Sequence, residues 1–334
     1  MSFKVTIAAS DRRFEVDEGE TVLDAAIRQD VGLPFGCRNG FCGACLATLV
    51  EGEVDYPDGE PDKLLDAAED ACLPCQAVPR SDLVLAVELI DDPKKIEPRT
   101  MPVKVVRIDH LADDVVRLWL KPPETQRLQF LAGQYLDFLL EDGRRRAFSI
   151  ANPPHEDELI ELHIRHVDGG VFTDWAFTQL KEQTILRIEA PLGGFTLDEK
   201  SERPWLFIAG GTGFAPIKSQ IEHAFHAGLA RPMALYWGVR SEKDLYLPDL
   251  PRQWVRDHAD FQFVPVLSEP DEGWQGRKGW VHEAVLEDLG DRLADYDIYM
   301  AGPPPMIRAA REAFLARGVP QEQMHYDSFE YAAD

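Results

Sequence analysis

The sequence predicts a multidomain protein in three parts: a small mixed α+β domain, an antiparallel β-barrel and an open parallel α/β sheet. Three observations point to this. All five cysteines lie between residues 37 and 75, short strand-like runs separated by turns occupy residues 103–190, and a glycine-rich turn follows an apolar run at 204–209. At 334 residues the chain is also too long for one ordinary core.

Composition and charge argue against several classes of protein. The chain is 45% hydrophobic and 28% charged, which is typical of globular proteins. Its net charge of −24 disfavours nucleic acid or an anionic membrane as partner, because phosphates would be repelled. No apolar run approaches the roughly 18 residues of a membrane span, and the N-terminus lacks the hydrophobic stretch of a signal peptide. We therefore expect a cytoplasmic monomer.

The cysteines have the spacing of a metal centre. Four residues separate Cys37 from Cys42, two separate Cys42 from Cys45, and 29 more precede Cys75. This is the plant-type [2Fe–2S] pattern, so we predict these four cysteines as ligands. Cys72 competes for the fourth position, but the spacing favours Cys75, and we expect Cys72 to be a buried apolar residue. Zinc bound by the two C-x2-C pairs is the alternative, although it leaves Cys37 without a role.

The residues around the cysteines predict a strand pair followed by a helix. Residues 3–7 and 13–16 alternate apolar and polar side chains, and Thr21 is the expected N-cap of the helix. Glycines at 36, 40 and 43 allow positive φ in the cysteine loop. With Gly-Cys-Arg-Asn-Gly-Phe-Cys-Gly-Ala-Cys and Leu-Pro-Cys-Gln, residues 1–93 resemble the plant-type ferredoxins, which implies a β-grasp fold.

A charged segment with prolines at 93 and 98 predicts a linker over 94–100. The strand-like runs beyond it predict a barrel over 101–200. Within the barrel, Arg146, Phe148 and Ser149 place a phosphate-binding cation, an aromatic face and a hydroxyl on one strand, where residues 146 and 148 point the same way. Residues 163–173 add two glycines that would let the backbone approach a pyrophosphate.

The last part of the chain, residues 201–334, predicts a Rossmann-like α/β domain. The turn Gly-Gly-Thr-Gly after the first buried strand gives close backbone approach to a pyrophosphate and directs the next helix toward it. Three further apolar runs, at 234–240, 263–268 and 297–300, end in small or polar residues. Their ends should line one crevice.

In this order, the segments of residues 101–334 resemble the ferredoxin–NADP reductase superfamily. The matching motifs are Arg-Ala-Phe-Ser, Gly-Gly-Thr-Gly-Phe-Ala-Pro, Tyr-Trp-Gly-Val-Arg and Tyr-Met-Ala-Gly-Pro-Pro-Pro-Met. The resemblance implies that Arg146 contacts the FAD phosphates, Phe148 lies along the isoalloxazine and Ser149 bonds near N5. The other cofactor-binding residues that it implies are His163, Arg165, Gly170, Val171, Thr173, Gly211, Thr212, Gly213, Arg240, Gly302, Pro303 and Phe329.

Two of these positions carry an alternative, and Ala301, next to Gly302, departs from the family pattern. A structural role is the alternative for His163. Phe329 is expected over the flavin, where it would act with Ser149 in catalysis, and a simple terminal anchor is its alternative. Many relatives have a cysteine where this chain has Ala301, and that thiol is associated with the nicotinamide site.

The expected function is electron transfer. Arg240 and Lys243 could hold the 2′-phosphate of NADPH, but neighbouring Glu242 and Asp244 offset them, so we favour NADH. A nicotinamide gives two electrons and a cluster takes one, so FAD is needed between them. Electrons then leave through the cluster to a separate acceptor protein.

The acceptor is expected to be an oxygenase component. The order of domains resembles reductase components of aromatic-ring dioxygenases and diiron monooxygenases, and also the reductase of the CDP-6-deoxyhexulose dehydrase system, which is the alternative. Residues 1–93 hold 20 acidic against 7 basic residues, so we expect the acceptor to dock on the acidic ferredoxin domain. That surface could instead serve only solubility. A regulatory flavin and iron–sulfur module without turnover is the third hypothesis.

Overall fold

The structure, a computed structural model, describes residues 2–8, 10, 12–29, 31–35, 38, 40, 43–65, 67–90 and 96–329. These residues form three main β-sheets along the chain. In the described part of the chain, no helix is long and apolar enough to cross a bilayer.

The N-terminal unit is a mixed sheet with a helix packed on it. Its elements are β1 (Ser2–Ile7), β2 (Arg13–Asp17), α1 (Val22–Arg28), β3 (Ala47–Glu51), β4 (Val54–Asp55), α2 (Asp62–Leu65), β5 (Ala71–Cys72), β6 (Val78–Pro79) and β7 (Leu83–Ala86). The main sheet has the order β2-β1-β7-β3-β5, with β1 and β7 parallel, while β4 pairs with β6. The predicted cap of α1 is confirmed, because Thr21 Oγ1 accepts a hydrogen bond from Asp24 N at 3.1 Å.

The second unit is a six-stranded antiparallel sheet whose two edges meet. It contains β8 (Arg99–Ala112), β9 (Val115–Lys121), β10 (Tyr135–Leu139), β11 (Arg145–Ser149), β12 (Ile160–Arg165), α3 (Val171–Thr178) and β13 (Ile185–Leu192), with strand order β11-β10-β13-β8-β9-β12. An isolated bridge between Ile150, directly after β11, and Leu162 of β12 brings the two edges of the sheet together, as in a partly open barrel. β8 begins at Arg99, inside the segment predicted as a linker.

The C-terminal unit is a parallel sheet with helices. Its elements are β14 (Trp205–Gly210), α4 (Phe214–His226), β15 (Met233–Val239), α5 (Asp249–Asp257), β16 (Phe261–Leu267), β17 (Arg277–Lys278), α6 (Val281–Leu289), β18 (Asp297–Gly302), α7 (Pro304–Leu315) and β19 (Met324–Ser328). The strand order is β17-β16-β15-β14-β18-β19. All residues of β14 and β18 are buried, as expected for central parallel strands. The order reverses between these two strands, which is where open α/β sheets bind ligands.

Candidate functional site

The cysteine site is partly described. Cys45, Cys72 and Cys75 are buried, whereas the predicted ligands Cys37 and Cys42 lie outside the described residues. Among the described residues no group of three or more His, Cys, Asp or Glu side chains gathers to hold a metal. The predicted positive φ is present at Gly40 (80°) and Gly43 (72°).

The surroundings of Cys75 differ from those of Cys72. A hydrogen bond with Cys45 and burial raise the pKa of Cys75 above its usual range, while the N–H groups of Gly40 and of Cys75 itself lower it. Burial alone raises the pKa of Cys72 to about 12. An iron–sulfur cluster needs neighbouring thiolates with hydrogen bonds to the sulfurs. Among the described residues, the Cys75 thiol has Cys45 and backbone N–H groups as neighbours, whereas only burial acts on the Cys72 thiol.

The cysteine loop is held against the barrel. Arg38, one residue after Cys37 in the chain, pairs through Nη1 with Oδ1 of the buried Asp157 at 3.0 Å. Gln129 of the barrel donates to Leu33 O at 2.8 Å and accepts from Phe35 N at 2.9 Å. These bonds fix the N-terminal unit beside the second sheet.

The two segments expected to bind flavin lie side by side. On β11, Arg146 and Phe148 are half-buried while Arg145 and Ala147 are exposed, which confirms that residues 146 and 148 share a face. The ring of Phe148 lies 5.4 Å from that of Phe172, which follows Gly170 and the exposed Val171 at the start of α3. Thr173 turns back to bond Gly170 O at 3.1 Å.

Ser149, at the end of β11, lies close enough to the Asp327 carboxyl of β19 to lower its pKa. Burial outweighs this effect and raises the pKa of Asp327 to about 6. A cavity of about 300 Å³ beside this pair is lined by Tyr135, Gly193, Gly194, Phe195, His325, Tyr326 and Asp327. Two residues further on, Phe329 N donates to Gly302 O at 3.0 Å. The end of the chain therefore joins the flavin strand to the crevice of the parallel sheet.

Sequence reasoning missed Asp327. Nothing in the local pattern around Phe329 indicates that the nearby carboxyl of Asp327 reaches Ser149, far away in the sequence.

The glycine-rich turn packs against the end of β18. A Cβ added to Gly213 would lie 2.0 Å from the carbonyl oxygen of the buried Ala301, and one added to Gly302 would lie 3.0 Å from Gly210 Cα. Only glycine allows this approach, since any side chain would push the two loops apart. Pro303 directly precedes α7 and caps it without a side-chain bond.

Arg165 lies beside this turn. Its Nη1 would be 3.2 Å from a Cβ on Gly211, where φ is 54°. Within the described residues, its buried Nη2 has no hydrogen-bond partner, and its Nε lies 3.4 Å from Asp114 outside hydrogen-bond geometry. A half-buried guanidinium with open donor atoms next to a strand-to-helix glycine turn fits an anionic ligand such as a pyrophosphate. Thr212 lies on the same turn and is half-buried.

A second cavity, of about 490 Å³, opens at the end of β15. It is lined by Ala112, Asp113, Asp114, Arg240, Ser241, Lys243, Asp244 and Glu269. The carboxylate of Asp244 is already bonded within the protein, because it accepts hydrogen bonds from Ser241 N and Ser241 Oγ, both at 2.9 Å. The exposed cations Arg240 and Lys243 therefore face Asp113, Asp114 and Glu269.

His163 is fully surrounded by protein. Its Nδ1 lies 3.0 Å from Tyr246 Oη and its Nε2 lies 2.9 Å from Glu161 Oε1. Burial opposes the charge of Glu161, but the hydrogen bond from His163 and the charge of Lys218 outweigh it and lower the pKa of Glu161 to about 2. Because both ring nitrogens bond protein groups, the geometry favours the structural alternative for His163.

Comparisons with known proteins agree with this geometry. Residues 5–80 match the 2Fe-2S iron-sulfur cluster binding domain, residues 102–197 the oxidoreductase FAD-binding domain, and residues 207–312 the oxidoreductase NAD-binding domain. The CDP-6-deoxy-L-threo-D-glycero-4-hexulose-3-dehydrase reductase of Yersinia pestis is 38% identical over 329 residues, covering 98% of this chain and 99% of the relative. The chain belongs to the ferredoxin-fused, FAD- and NAD-binding reductases.

Other members of the reductase family are similar over their whole length. The reductase component of phenol 2-monooxygenase from Pseudomonas sp. (strain CF600) is 35% identical over 342 residues, covering 100% of this chain and 96% of the relative. Among solved structures, the Amycolatopsis cytochrome P450 reductase has a TM-score of 0.67 at 32% identity, covering 99% and 100% of the two chains. The ferredoxin reductase in carbazole 1,9a-dioxygenase has a TM-score of 0.63 at 29% identity, covering 99% of both.

The reductase is therefore an NAD(P)H-dependent flavoprotein iron–sulfur oxidoreductase with FAD and a [2Fe–2S] cluster as cofactors. The predicted fold class and the cluster type are confirmed, and the zinc alternative is wrong. The relatives are named as reductases, which argues against a module without turnover.

Proposed function

We propose that the reductase takes electrons from NADH and delivers them, through FAD and the [2Fe–2S] cluster, to a separate redox protein that is an oxygenase component. When bound, FAD accepts the two electrons of the nicotinamide and releases them singly to the cluster. Two observations carry the proposal: Asp327 lies near Ser149 on β11, and two residues later Phe329 N donates to Gly302 O at the end of the central strand β18.

The proposed ligands of the cluster are Cys37, Cys42, Cys45 and Cys75. Arg146, Phe148, Ser149, Gly170, Val171 and Thr173 are proposed for FAD, and Phe329 for the flavin face. Arg165, Gly211, Thr212, Gly213, Arg240, Gly302 and Pro303 are proposed for the nicotinamide cofactor. The proposed division of the chain is 1–93 for the ferredoxin domain, 94–100 for the linker, 101–200 for the FAD domain and 201–334 for the NAD domain.

A preference for NADH follows from the cavity at the end of β15. With Asp244 bonded to Ser241, three carboxylates, Asp113, Asp114 and Glu269, still line the cavity beside Arg240 and Lys243. A 2′-phosphate would bring about two further negative charges into this cavity, whereas the ribose hydroxyl of NADH can donate to a carboxylate.

The acceptor is proposed to dock on the acidic N-terminal domain, whose charge would attract a basic partner. A sugar-dehydrase acceptor is the second candidate, and it is favoured by the 38% identity to the Yersinia pestis reductase, against 35% for the phenol 2-monooxygenase component.

Reconstitution tests the proposal. The purified reductase is mixed with NADH or NADPH and either an oxygenase component or a CDP-hexulose dehydrase, and product formation is followed. We expect turnover with the oxygenase, at a higher kcat/KM for NADH than for NADPH. Turnover with the dehydrase alone would assign the second candidate, and no reduction of the flavin by either nucleotide would refute the function.

A further inference from the structure

Three consecutive side chains of the helix that follows the glycine-rich turn donate hydrogen bonds to carbonyl oxygens of the barrel. On α4, Lys218 Nζ donates to Ala151 O at 3.2 Å, Ser219 Oγ donates to Asn152 O at 2.8 Å, and Gln220 Nε2 donates to Phe195 O at 2.7 Å. All three side chains belong to buried polar residues. We call these three residues of α4 the α4 clamp.

Lys218 adds charge to this contact. Its Nζ lies 2.9 Å from Glu161 Oε2 on β12 and 2.8 Å from Glu222 Oε2 on its own helix. A buried ammonium is stable only while carboxylates pair with its charge and accept its hydrogen bonds. A shift of α4 relative to β12 would therefore leave a buried charge unpaired. The contact therefore has one favoured geometry.

The network continues from Glu161 back to the glycine-rich turn. The ionised Glu161 is an acceptor only. His163 therefore donates a hydrogen bond to Glu161 through Nε2 and accepts one from the Tyr246 hydroxyl at Nδ1. The ring of Tyr246 contacts Trp237 at 5.1 Å, and Trp237 Nε1 donates to Gly211 O at 3.0 Å. The glycine-rich turn is thus fixed to the barrel from both sides.

The bonded positions flank the two halves of the proposed reaction site. Ala151 and Asn152 follow Ser149 closely on the flavin side, and Lys218 lies in the second turn of α4, whose start is the glycine-rich turn. We propose that the α4 clamp, with Lys218 at its centre, is a positioning device that sets the distance between the nicotinamide and the flavin. This inference rests on the proposed function. The rate of hydride transfer is sensitive to displacements of about 1 Å, which can cost on the order of 100-fold.

The test uses holoenzyme and measures flavin reduction by NADH in an anaerobic stopped-flow instrument. We expect Lys218→Met, combined with Glu161→Gln so that no carboxylate on β12 is left unpaired, to lower the limiting rate on the order of 10- to 100-fold. The apparent Kd of NADH should change by less than a few-fold. Lys181→Met, at an exposed position of the barrel, is the matched control and should leave the rate unchanged.

Two further readouts separate positioning from a merely structural role. The long-wavelength charge-transfer absorption of the reduced enzyme with NAD⁺, which requires the nicotinamide stacked on the flavin, should weaken in the double variant while FAD content stays normal. Reoxidation of photoreduced flavin by ferricyanide should remain at the wild-type rate. Lys218→Arg should recover part of the reduction rate, because it keeps the charge.

Several results would overturn the inference. A double variant with a reduction rate within twofold of wild type, or with unchanged NAD⁺-induced absorption, refutes the clamp. If that variant does not fold, Ser219→Ala and Gln220→Ala are measured instead. Each should slow flavin reduction several-fold, and wild-type rates in both would refute the clamp. Failure of NADH to reduce the wild-type flavin would refute the proposed function instead.

Discussion

Replacing Asp327 by asparagine tests the pair that it forms with Ser149. The pKa of Asp327 is raised from 3.8 to about 6, chiefly by burial. Folding therefore favours the protonated carboxyl, and the associated stability, present below pH 3.8, is lost as the pH rises through about 6. A shift of about two pKa units corresponds to about 3 kcal/mol at pH 8 as an upper bound, because one unit is about 1.4 kcal/mol. Asparagine is uncharged at every pH and avoids this cost.

The expected result is a pH-dependent difference between variant and wild type. The raised pKa of Asp327 already includes the opposing effect of Ser149, so about 3 kcal/mol is the upper bound on the gain of Asp327→Asn at pH 8. Scanning calorimetry of holoenzyme at pH 5, 6, 7 and 8 measures the melting temperature. The melting temperature of the variant should increase relative to that of wild type as the pH rises. The control substitution Asp260→Asn, at an exposed position, should show no such trend. A difference that is constant from pH 5 to 8 would refute the reasoning.

Three further substitutions test the proposed cofactor sites. Cys75→Ser should abolish the iron–sulfur absorption of purified protein while Cys72→Ser retains it, and the reverse result would make Cys72 the ligand. Gly213→Ala should raise the KM for NADH on the order of tenfold with normal FAD content, because its Cβ would lie 2.0 Å from Ala301 O; an unchanged KM would contradict the close packing. Asp113→Asn should raise kcat/KM for NADPH relative to NADH roughly fivefold, since removing one carboxylate charge changes the interaction with a phosphate by about 1 kcal/mol; an unchanged ratio would count against this cavity as the ribose site.

The features that the sequence predicts well are local ones. The cluster type can be predicted because three of its cysteines fall within nine residues. The cap at Thr21 can be predicted because a helix start has a local pattern. The glycine-rich turn is readable for the same reason, although its glycines serve loop packing against Ala301 as well as ligand approach.

The features that the sequence does not predict are contacts between the units. Asp327 and Ser149 are 178 residues apart, and Lys218 lies 57 residues from Glu161 and 67 from Ala151. Lys218 on a helix would ordinarily be solvated, and only the barrel packed on α4 buries it. His163 illustrates the same limit, because the resemblance implies a cofactor contact, whereas its ring nitrogens bond Glu161 on the same strand and Tyr246 of the C-terminal unit.

The central claim, that electrons pass from NADH through FAD and then through the cluster, is tested most directly by comparing wild type with Cys75→Ser in two assays. Reduction of ferricyanide reports electrons leaving the flavin, and reduction of cytochrome c reports electrons leaving the cluster. We predict that the variant keeps NADH-dependent ferricyanide reduction and loses cytochrome c reduction. Cytochrome c reduction at the wild-type rate in a variant without the cluster would contradict the account.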